Sequence, residues 1–472
     1  MSASSELVER YRSRSLWLDT CGDDLSPRPS LPGDLHADVA IVGGGLTGLW
    51  TAWYLRRLDP TCRVVVLESE ICGFGASGRN GGWCSALFPA SLDQLASGAG
   101  RDAAIAQHRA MIDTVHEVGR VVDELGLDVG WAHGGTLSIA TNPAHVPRLR
   151  EQVAHDRAWG FDESDVRWLT GHEVRDRVRM ATIDGAPPAG AAFTPHCAAV
   201  HPGRLVRGLA HAVEGAGTTI HEGSRAVELS PGRVRTDHGV VHAPVVLRCT
   251  EGYTPTLPDR AREVIPLYSL MVATEPLPEE AWEEIGLVDR ETFTDGRHLL
   301  IYGQRTADGR FAFGGRGAPY HFGSAVRDGY DRDRSVFDAL RATLHKLFPL
   351  TRDAAITHEW GGPLAVPRDW TASVRLDPTT GLGAAGGYVG DGVSTTNLAG
   401  RTLADLVCGV DSALVGLPWV GHRSPSWEPE PLRWIGVNAG RTVAEVADRV
   451  ERRRRRPARA AERVMGWFTG GH

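Results

Sequence analysis

The sequence predicts a protein of combined α/β and α+β class, a Rossmann-like dinucleotide-binding unit joined to a second unit built on an antiparallel sheet. Three observations predict it. Asp38 to Glu68 reads DVAIVGGGLTGLWTAWYLRRLDPTCRVVVLE, a strand, a glycine turn, a helix and a second strand that ends in an acid. Farther on, Tyr268 to Glu275, Leu299 to Gln304 and Arg310 to Gly314 read as strands, and Asp308-Gly309 between the last two is a strong hairpin signal. A length of 472 residues suits two interleaved units better than one.

In the first unit, Val39 to Val42 is a short apolar, β-branched run of the kind that is covered on both faces. Gly43, Gly45 and Gly48 follow in the spacing G-x-G-x-x-G. The first glycine permits a tight turn, the second lets backbone approach a pyrophosphate, and the third lets helix and strand pack closely. Gly44, Leu46 and Thr47 complete the turn, and Leu46 to Leu58 carries a helical repeat whose first N–H groups are free for phosphate. Arg63 to Leu67 is the second strand. Glu68, twenty residues past Gly48 and followed by Ser69, is placed to accept hydrogen bonds from a ribose diol and to repel a 2′-phosphate. A lone glycine motif is weak; this one has its strands, helix and acid in order.

Composition bounds the rest. Apolar content of 42% and charged content of 23% describe an ordinary globule with ample core. A formal charge of −7 argues against nucleic acid as a partner. Seven cysteines show no CxxC pair or metal-ligand spacing, which predicts no metal site and suits a reducing cytoplasm. The polar N-terminus lacks the apolar core of a secretory signal, and no apolar run reaches membrane-span length. Lys346 is the only lysine, so almost all positive charge is arginine.

In chain order, Trp17 to Pro32 is a lead-in expected to pack on the outside of the nucleotide unit. Ser91 to Leu125 reads as one helix, Gly134 to Ala140 as a strand, and Val146 to Trp159 and Thr170 to Val178 as helices. His201 to Val213 is a Pro-Gly turn and helix. Thr218 to Leu229, Arg233 to Val241 and Val245 to Cys249 read as strands. Ser335 to Phe348 is an amphipathic helix with Lys346 off its apolar face. Val393 to Leu406 is a helix preceded by Gly390, Asp391 and Gly392. After Val415 come a Pro- and Trp-rich connector, a charged helix from about Thr442, and the run Arg452 to Arg456, read as a solvated helix end.

Between these elements, Cys72 to Pro89 reads CGFGASGRNGGWCSALFP, with five glycines from Gly73 to Gly82. Gly75 to Gly82 resembles the flavin-side loop of the D-amino-acid oxidase and glycine oxidase superfamily of FAD enzymes. It matches in full the G-A-S-G-R-N-G-G of the γ-glutamylputrescine oxidoreductase-like branch. The resemblance continues at VVLRCTEGYTPTL (245–257), FGGRGAPYHFGS (313–324), EWGGPL (359–364) and GGYVGDGVSTTNLAG (386–400), and spans most of the chain from Trp17 to about Trp434.

The resemblance implies a discontinuous, glutathione-reductase-like FAD-binding domain with an antiparallel-sheet substrate domain. Residues 1–95, 196–262 and 356–415 would belong to the first, 96–195 and 263–355 to the second, with a C-terminal connector and helix over 416–472. It implies FAD contacts by Gly75, Ala76, Ser77, Arg79, Asn80, Gly81 and Gly82, by Val227 and Thr250, and by Gly387, Gly390, Asp391, Gly392, Val393, Ser394, Thr395 and Thr396. The last helix start would direct N–H groups and partial positive charge at the pyrimidine end of the flavin. The FAD is expected to be non-covalent, since EWGGPL holds no cysteine.

The implied reaction is oxidation of a primary or secondary amine, a small-molecule substrate. Hydride passes from its α-carbon to the flavin, and the resulting imine hydrolyses to an aldehyde, with O2 or another compound taking the electrons. Arg305, Arg316, His321 and Tyr253 are the candidate catalytic residues. Arg305 aligns with an arginine that clamps a substrate carboxylate; the plainer reading of Arg305 and Arg316 is structural. The second arginine of amino-acid oxidases is replaced by proline in Trp360-Gly361-Gly362-Pro363, which favours an amine over an α-amino acid, the alternative. A departure from the relatives at Arg248 to Glu251 suggests an Arg248–Glu251 pair. Lys346 is a poor candidate to assist O2, which leaves Arg248 and His321. A flavin hydroxylase and an FAD-binding assembly protein are the other classes weighed.

Overall fold

The computed structural model describes residues 3–182, 185–459 and 461. A six-stranded sheet runs in the spatial order Ser373–Leu376, Leu382–Gly386, Val245–Arg248, Val39–Val42, Val64–Leu67, Thr219–His221. Every neighbouring pair is parallel except the first. Val39–Val42 and Val64–Leu67 are buried at every residue, because helices or a further sheet cover both sides. Helix Leu46–Leu58 lies between Gly392–Cys408 and Pro202–Gly215. Gly400 sets the first contact: a Cβ there would lie 2.6 Å from Trp50 Cβ. The other face is covered by a four-stranded sheet of Leu35–His36, Val240–His242, Arg233–Thr236 and Ala226–Ser230.

The second large sheet has eight strands, in the order Ile356–Val366, Ile265–Thr274, Phe311–Arg316, Ile301–Arg305, Thr292–Asp295, Thr136–Ile139, Gly190–Thr194, Arg167–Thr170. It is antiparallel throughout except where Thr292–Asp295 runs parallel to Thr136–Ile139. The hairpin at Asp308-Gly309 forms as the sequence predicts, closed by Thr306 N–H to Arg310 O at 2.9 Å. Phe293, Phe311, Phe313 and Phe348 fill its core, against the apolar face of helix Arg334–Leu347. Lys346 is exposed on that helix. Among the described residues no helix is long and apolar enough to cross a membrane.

Several elements differ from their expected form. Ile356–Val366 pairs along its length with Ile265–Thr274, so it belongs to the larger sheet and the return to the parallel sheet comes at Ser373, not 356. Thr218 to Leu229 is two strands in two sheets. The break is at Glu222, whose buried carboxylate draws in Arg28 N–H and Cys72 N–H at 2.7 Å each and the Arg207 guanidinium. The long helix predicted from Ser91 is divided by Gly100 at φ +86° into Leu92–Ala99 and Arg101–Glu124. The C-terminal helix is Leu432–Arg454, well upstream of Thr442; Gly436 and Gly440 obscured its start. Trp17 is not on the outside. It is buried at the junction of the two units, donating Nε1–H to Asn80 O at 2.7 Å and meeting Trp360 edge-on.

Candidate active site

A cavity of about 490 Å³ opens beyond the C-terminal ends of the parallel strands, where open α/β sheets place their ligands. The chain turns away from Val42 through Gly43 at φ +116°, where a Cβ would lie 2.4 Å from Cys249 O. At Gly48 a Cβ would lie 2.1 Å from Gly43 O, so the helix can meet the strand this closely only without a side chain. Gly45 is the N-cap of Leu46–Leu58 and offers no side-chain cap; the Leu46 N–H finds Ser77 Oγ at 2.8 Å. Glu68 is aimed by its own backbone. Oε2 accepts Gly44 N–H at 2.7 Å and Oε1 accepts Glu70 N–H at 3.0 Å and Ser69 Oγ–H at 3.2 Å. Burial nonetheless pushes its pKa up.

The loop after this unit is fixed from behind. Arg79 donates to Asp331 Oδ2 and Gly361 O at 3.0 Å each and to Tyr253 Oη at 2.6 Å, while Trp360 Nε1–H reaches Arg79 O. Asn80 bonds Ala76 O, Ser77 O and Gly82 N–H, and Gln304 Nε2–H holds Gly81 O at 2.6 Å. Gly75, Ala76, Ser77 and Asn80 line the cavity; Arg79, Gly81 and Gly82 form the scaffold behind them. Tyr253 lines it too, as do Thr250, Gly390, Gly392, Val393 and Thr396. The adenine-side prediction shifts by a residue or two: Arg225 and Ala226 face the cavity in place of Val227.

At the far end the helix Gly392–Cys408 begins with N-cap Asp391, which makes no side-chain cap bond and whose pKa burial raises. The Ser394 and Thr395 hydroxyls turn back to Ser85 O and Asp391 O, and Thr396 Oγ to Val393 O at 3.0 Å. The first-turn N–H groups are therefore left for a ligand. Gly387 lies behind, on a smaller arginine-rich cavity of about 290 Å³. Two open helix starts, an aimed carboxylate and a glycine cradle that any Cβ would obstruct form a donor set that fits FAD.

A larger cavity, about 830 Å³, adjoins this end. The two share Leu364, and Arg316, in the larger, comes within 3.2 Å of where a Gly390 Cβ would stand. Arg316 donates to Val389 O at 2.8 Å and has no carboxylate within ion-pair distance among the described residues. The other predicted groups lie elsewhere. Arg305 ends its strand against Glu279, at 3.1 Å, and over the Trp282 ring, lining neither cavity. His321 is stacked on Tyr330 with ring centroids 3.4 Å apart and meets Tyr268 edge-on, and burial pushes its pKa down, which favours the neutral ring. Arg248 pairs with Glu263 and donates to Thr254 Oγ1, not to Glu251. Glu251, at φ +41°, instead accepts Tyr388 N–H at 3.0 Å, and burial pushes its pKa up to about 7.

Two features escaped the sequence reading: Glu251, which lines both the cofactor cavity and the smaller one, and the C-terminal helix over the larger one. The helix is fastened by Asp448, which accepts His298 and Leu299 N–H at 2.8 and 3.0 Å, and by buried Glu451, which pairs with Arg148 and His298. His298, Asp448 and Glu451 have ligand-type atoms within 4.8 Å of one another, but these partners already occupy them.

Residues 38–406 match the family described as FAD dependent oxidoreductase, DAO. The γ-glutamylputrescine oxidoreductase of Escherichia coli (strain K12) is 30% identical over 395 residues, 81% of this chain and 86% of that one. The probable oxidoreductase OrdL of Haemophilus influenzae is 26% identical over 450 residues, 93% of this chain and 95% of that one. Glycine oxidase from Geobacillus kaustophilus superposes with a TM-score of 0.68 at 23% identity, covering 82% of this chain and 99% of that one, a likeness of fold.

Proposed function

Because the chain belongs to the DAO family of FAD-dependent oxidoreductases, we propose that it oxidises a primary or secondary amine to an imine, which water hydrolyses to an aldehyde. The observation that carries this is the contact of the two cavities at Leu364, which sets a substrate-sized space against the helix-start end of the cofactor space. The amine as substrate class is supported by the name of the E. coli relative. FAD, when bound, supplies the acceptor for the hydride from the carbon that bears nitrogen.

The chain's own residues hold, orient and exclude. Glu68 would take the ribose hydroxyls, the Gly45–Leu46 helix start the phosphates, and the Gly392–Cys408 helix start the carbonyl end of the ring. Arg316 makes no ion pair among the described residues and would hold an anionic group where the substrate bears one, which keeps the α-amino-acid alternative in play. The same charge, beside the flavin end, is the group best placed to assist O2, taken here as the acceptor. Arg248 is neutralised by Glu263, burial favours the neutral ring of His321, and Lys346 is exposed on its helix. The FAD is held without a covalent bond in this reading: burial pushes the Cys249 thiol, the one cysteine lining the cofactor cavity, up to about 12. We assign the dinucleotide role to 1–95, 196–262 and 373–415, and the substrate role to 96–195 and 263–372. All seven cysteines are unpaired, which suits a cytoplasmic, reducing setting.

An anaerobic screen of amines for bleaching of the flavin absorbance tests the reaction. Bleaching by an amine with release of aldehyde is the expected result, and no bleaching by any amine refutes it. Mixing the reduced enzyme with air tests the acceptor: reoxidation far slower than turnover with an artificial acceptor would make it a dehydrogenase.

A further inference from the structure

The larger cavity carries information about the substrate that the cofactor site does not. Its floor is the large sheet, through Ile265, Leu267, Leu364 and Val366, and its end is closed by Trp370 and Trp427. Its roof is the C-terminal helix, through Leu432, Val437 and Ala444. The roof is a fixed part of the fold, tied down by Asp448 and Glu451 and by Asn438, which brackets Tyr320 with bonds of 3.2 and 3.1 Å. At about 830 Å³ it falls within the range of pockets that enclose drug-sized ligands, far above what glycine or a methylamine fills.

The charges of the lining are one-sided. Arg148, Arg316, Arg368, Arg433 and Arg441 border the space, and among the described residues Glu428 is its only carboxylate. Glu428 is held by Arg368 at 3.0 Å, while Glu451, Glu430 and Glu445 answer Arg148, Arg433 and Arg441 from outside the lining. A second ammonium carried into this space would meet arginine and, among the described residues, no free carboxylate, and an unpaired charge out of water is costly.

Resting on the amine-oxidase reading, we propose that the substrate is a monoamine with a bulky apolar body, aryl or branched alkyl, seated between the sheet and helix Leu432–Arg454. That helix is the specificity element, and free diamines and polyamines are excluded. Gly436 provides the handle: it lines the cavity from the roof, and a Cβ there would meet nothing within 4 Å. Gly436→Phe therefore fills the space from a helical position where any side chain also improves helix propensity.

The test compares phenethylamine and its N-methyl form with putrescine, spermidine and methylamine on the FAD-loaded protein, by anaerobic bleaching and by calorimetric binding. The aryl monoamines should be preferred over the diamines by about tenfold or more in kcat/KM, as removal of a few buried methylenes is worth. Gly436→Phe should weaken aryl-amine binding about tenfold, with FAD content unchanged. A second variant, Leu432→Asp, adds a carboxylate at an edge that is 62% exposed and at a helix start that favours acids. It should raise putrescine affinity and lower that of the aryl amines. Putrescine or spermidine as the best reductant, or aryl-amine binding indifferent to both variants, overturns the proposal while amine oxidation stands. If no amine bleaches the flavin, the oxidation reading fails and calorimetry decides the pocket alone: aryl-amine binding lost in Gly436→Phe supports it, and no binding to the parent protein overturns it.

Discussion

Replacing Glu251 by glutamine should remove a pH-dependent weakness from the folded protein. The carboxyl is held where its charge is disfavoured: burial, the largest influence, outweighs the backbone N–H groups that face it and raises its pKa from 4.5 to about 7. Between those values the folded chain keeps a proton that the unfolded chain has released. The unfolded state then binds fewer protons, so stability is full below pH 4.5 and falls as pH rises through 7. At 1.36 kcal/mol per pKa unit the loss reaches about 3 kcal/mol above pH 7. Glutamine keeps an oxygen for Tyr388 N–H and carries no charge to bury. Urea unfolding of the cofactor-free protein at pH 5 and pH 8, parent against Glu251→Gln, reads the difference with all other titrations cancelled. The variant should be more stable by about 2–3 kcal/mol at pH 8 and by much less at pH 5. Equal stability losses in the two proteins between these pH values would refute a charge-averse Glu251.

Four further outcomes are expected. Arg316→Gln should lower kcat/KM for carboxylate-bearing amines by about 10–150-fold, the worth of a lost charge-assisted bond, and leave neutral amines within a few-fold; paired neutral and acidic substrates in rapid-mixing flavin reduction check this. Arg305→Leu, by contrast, should leave both kinds of substrate alone and cost at most about 1 kcal/mol of stability, since its partner Glu279 is exposed. Gly48→Ala should fold but lose FAD, because its methyl would press on Gly43 O at 2.1 Å and displace the phosphate turn; circular dichroism with flavin absorbance after desalting separates the two effects, and acid treatment of the parent protein should release unmodified FAD.

Much of this was legible where a local pattern has a single physical solution. Val39 to Glu68 reads as strand, turn, helix and strand because buried parallel strands are uniformly apolar and the glycines are forced by contacts under 3 Å. The Asp308-Gly309 hairpin is equally local. What was not legible depends on distant partners. Nothing near Arg305 announces Glu279 and Trp282, which draw it away from the substrate space, and nothing near Arg316 announces that it forms no ion pair among the described residues. Arg248 and Glu251 are three apart in sequence, yet Glu263 takes the arginine and Tyr388 N–H takes the acid. The resemblance assigns Ile356–Val366 to the nucleotide unit, and only its ladder with Ile265–Thr274 places it in the other sheet.

The loop from Gly75 to Gly82 is wedged by residues from both ends of the chain: Trp17 holds Asn80 O, while Arg79 depends on Asp331, Gly361 O and Trp360. The phosphate turn is made within the first 68 residues, but the wall opposite it, up to Thr396, comes much later. At translation rates of about 5–20 residues per second, roughly 20–60 s separate the two. During that interval a growing chain displays a finished glycine motif with no floor beneath the ring. Cofactor capture is thus a closing event in biosynthesis, and fragments that stop short of Gly392–Cys408 should emerge colourless however well their first strands form.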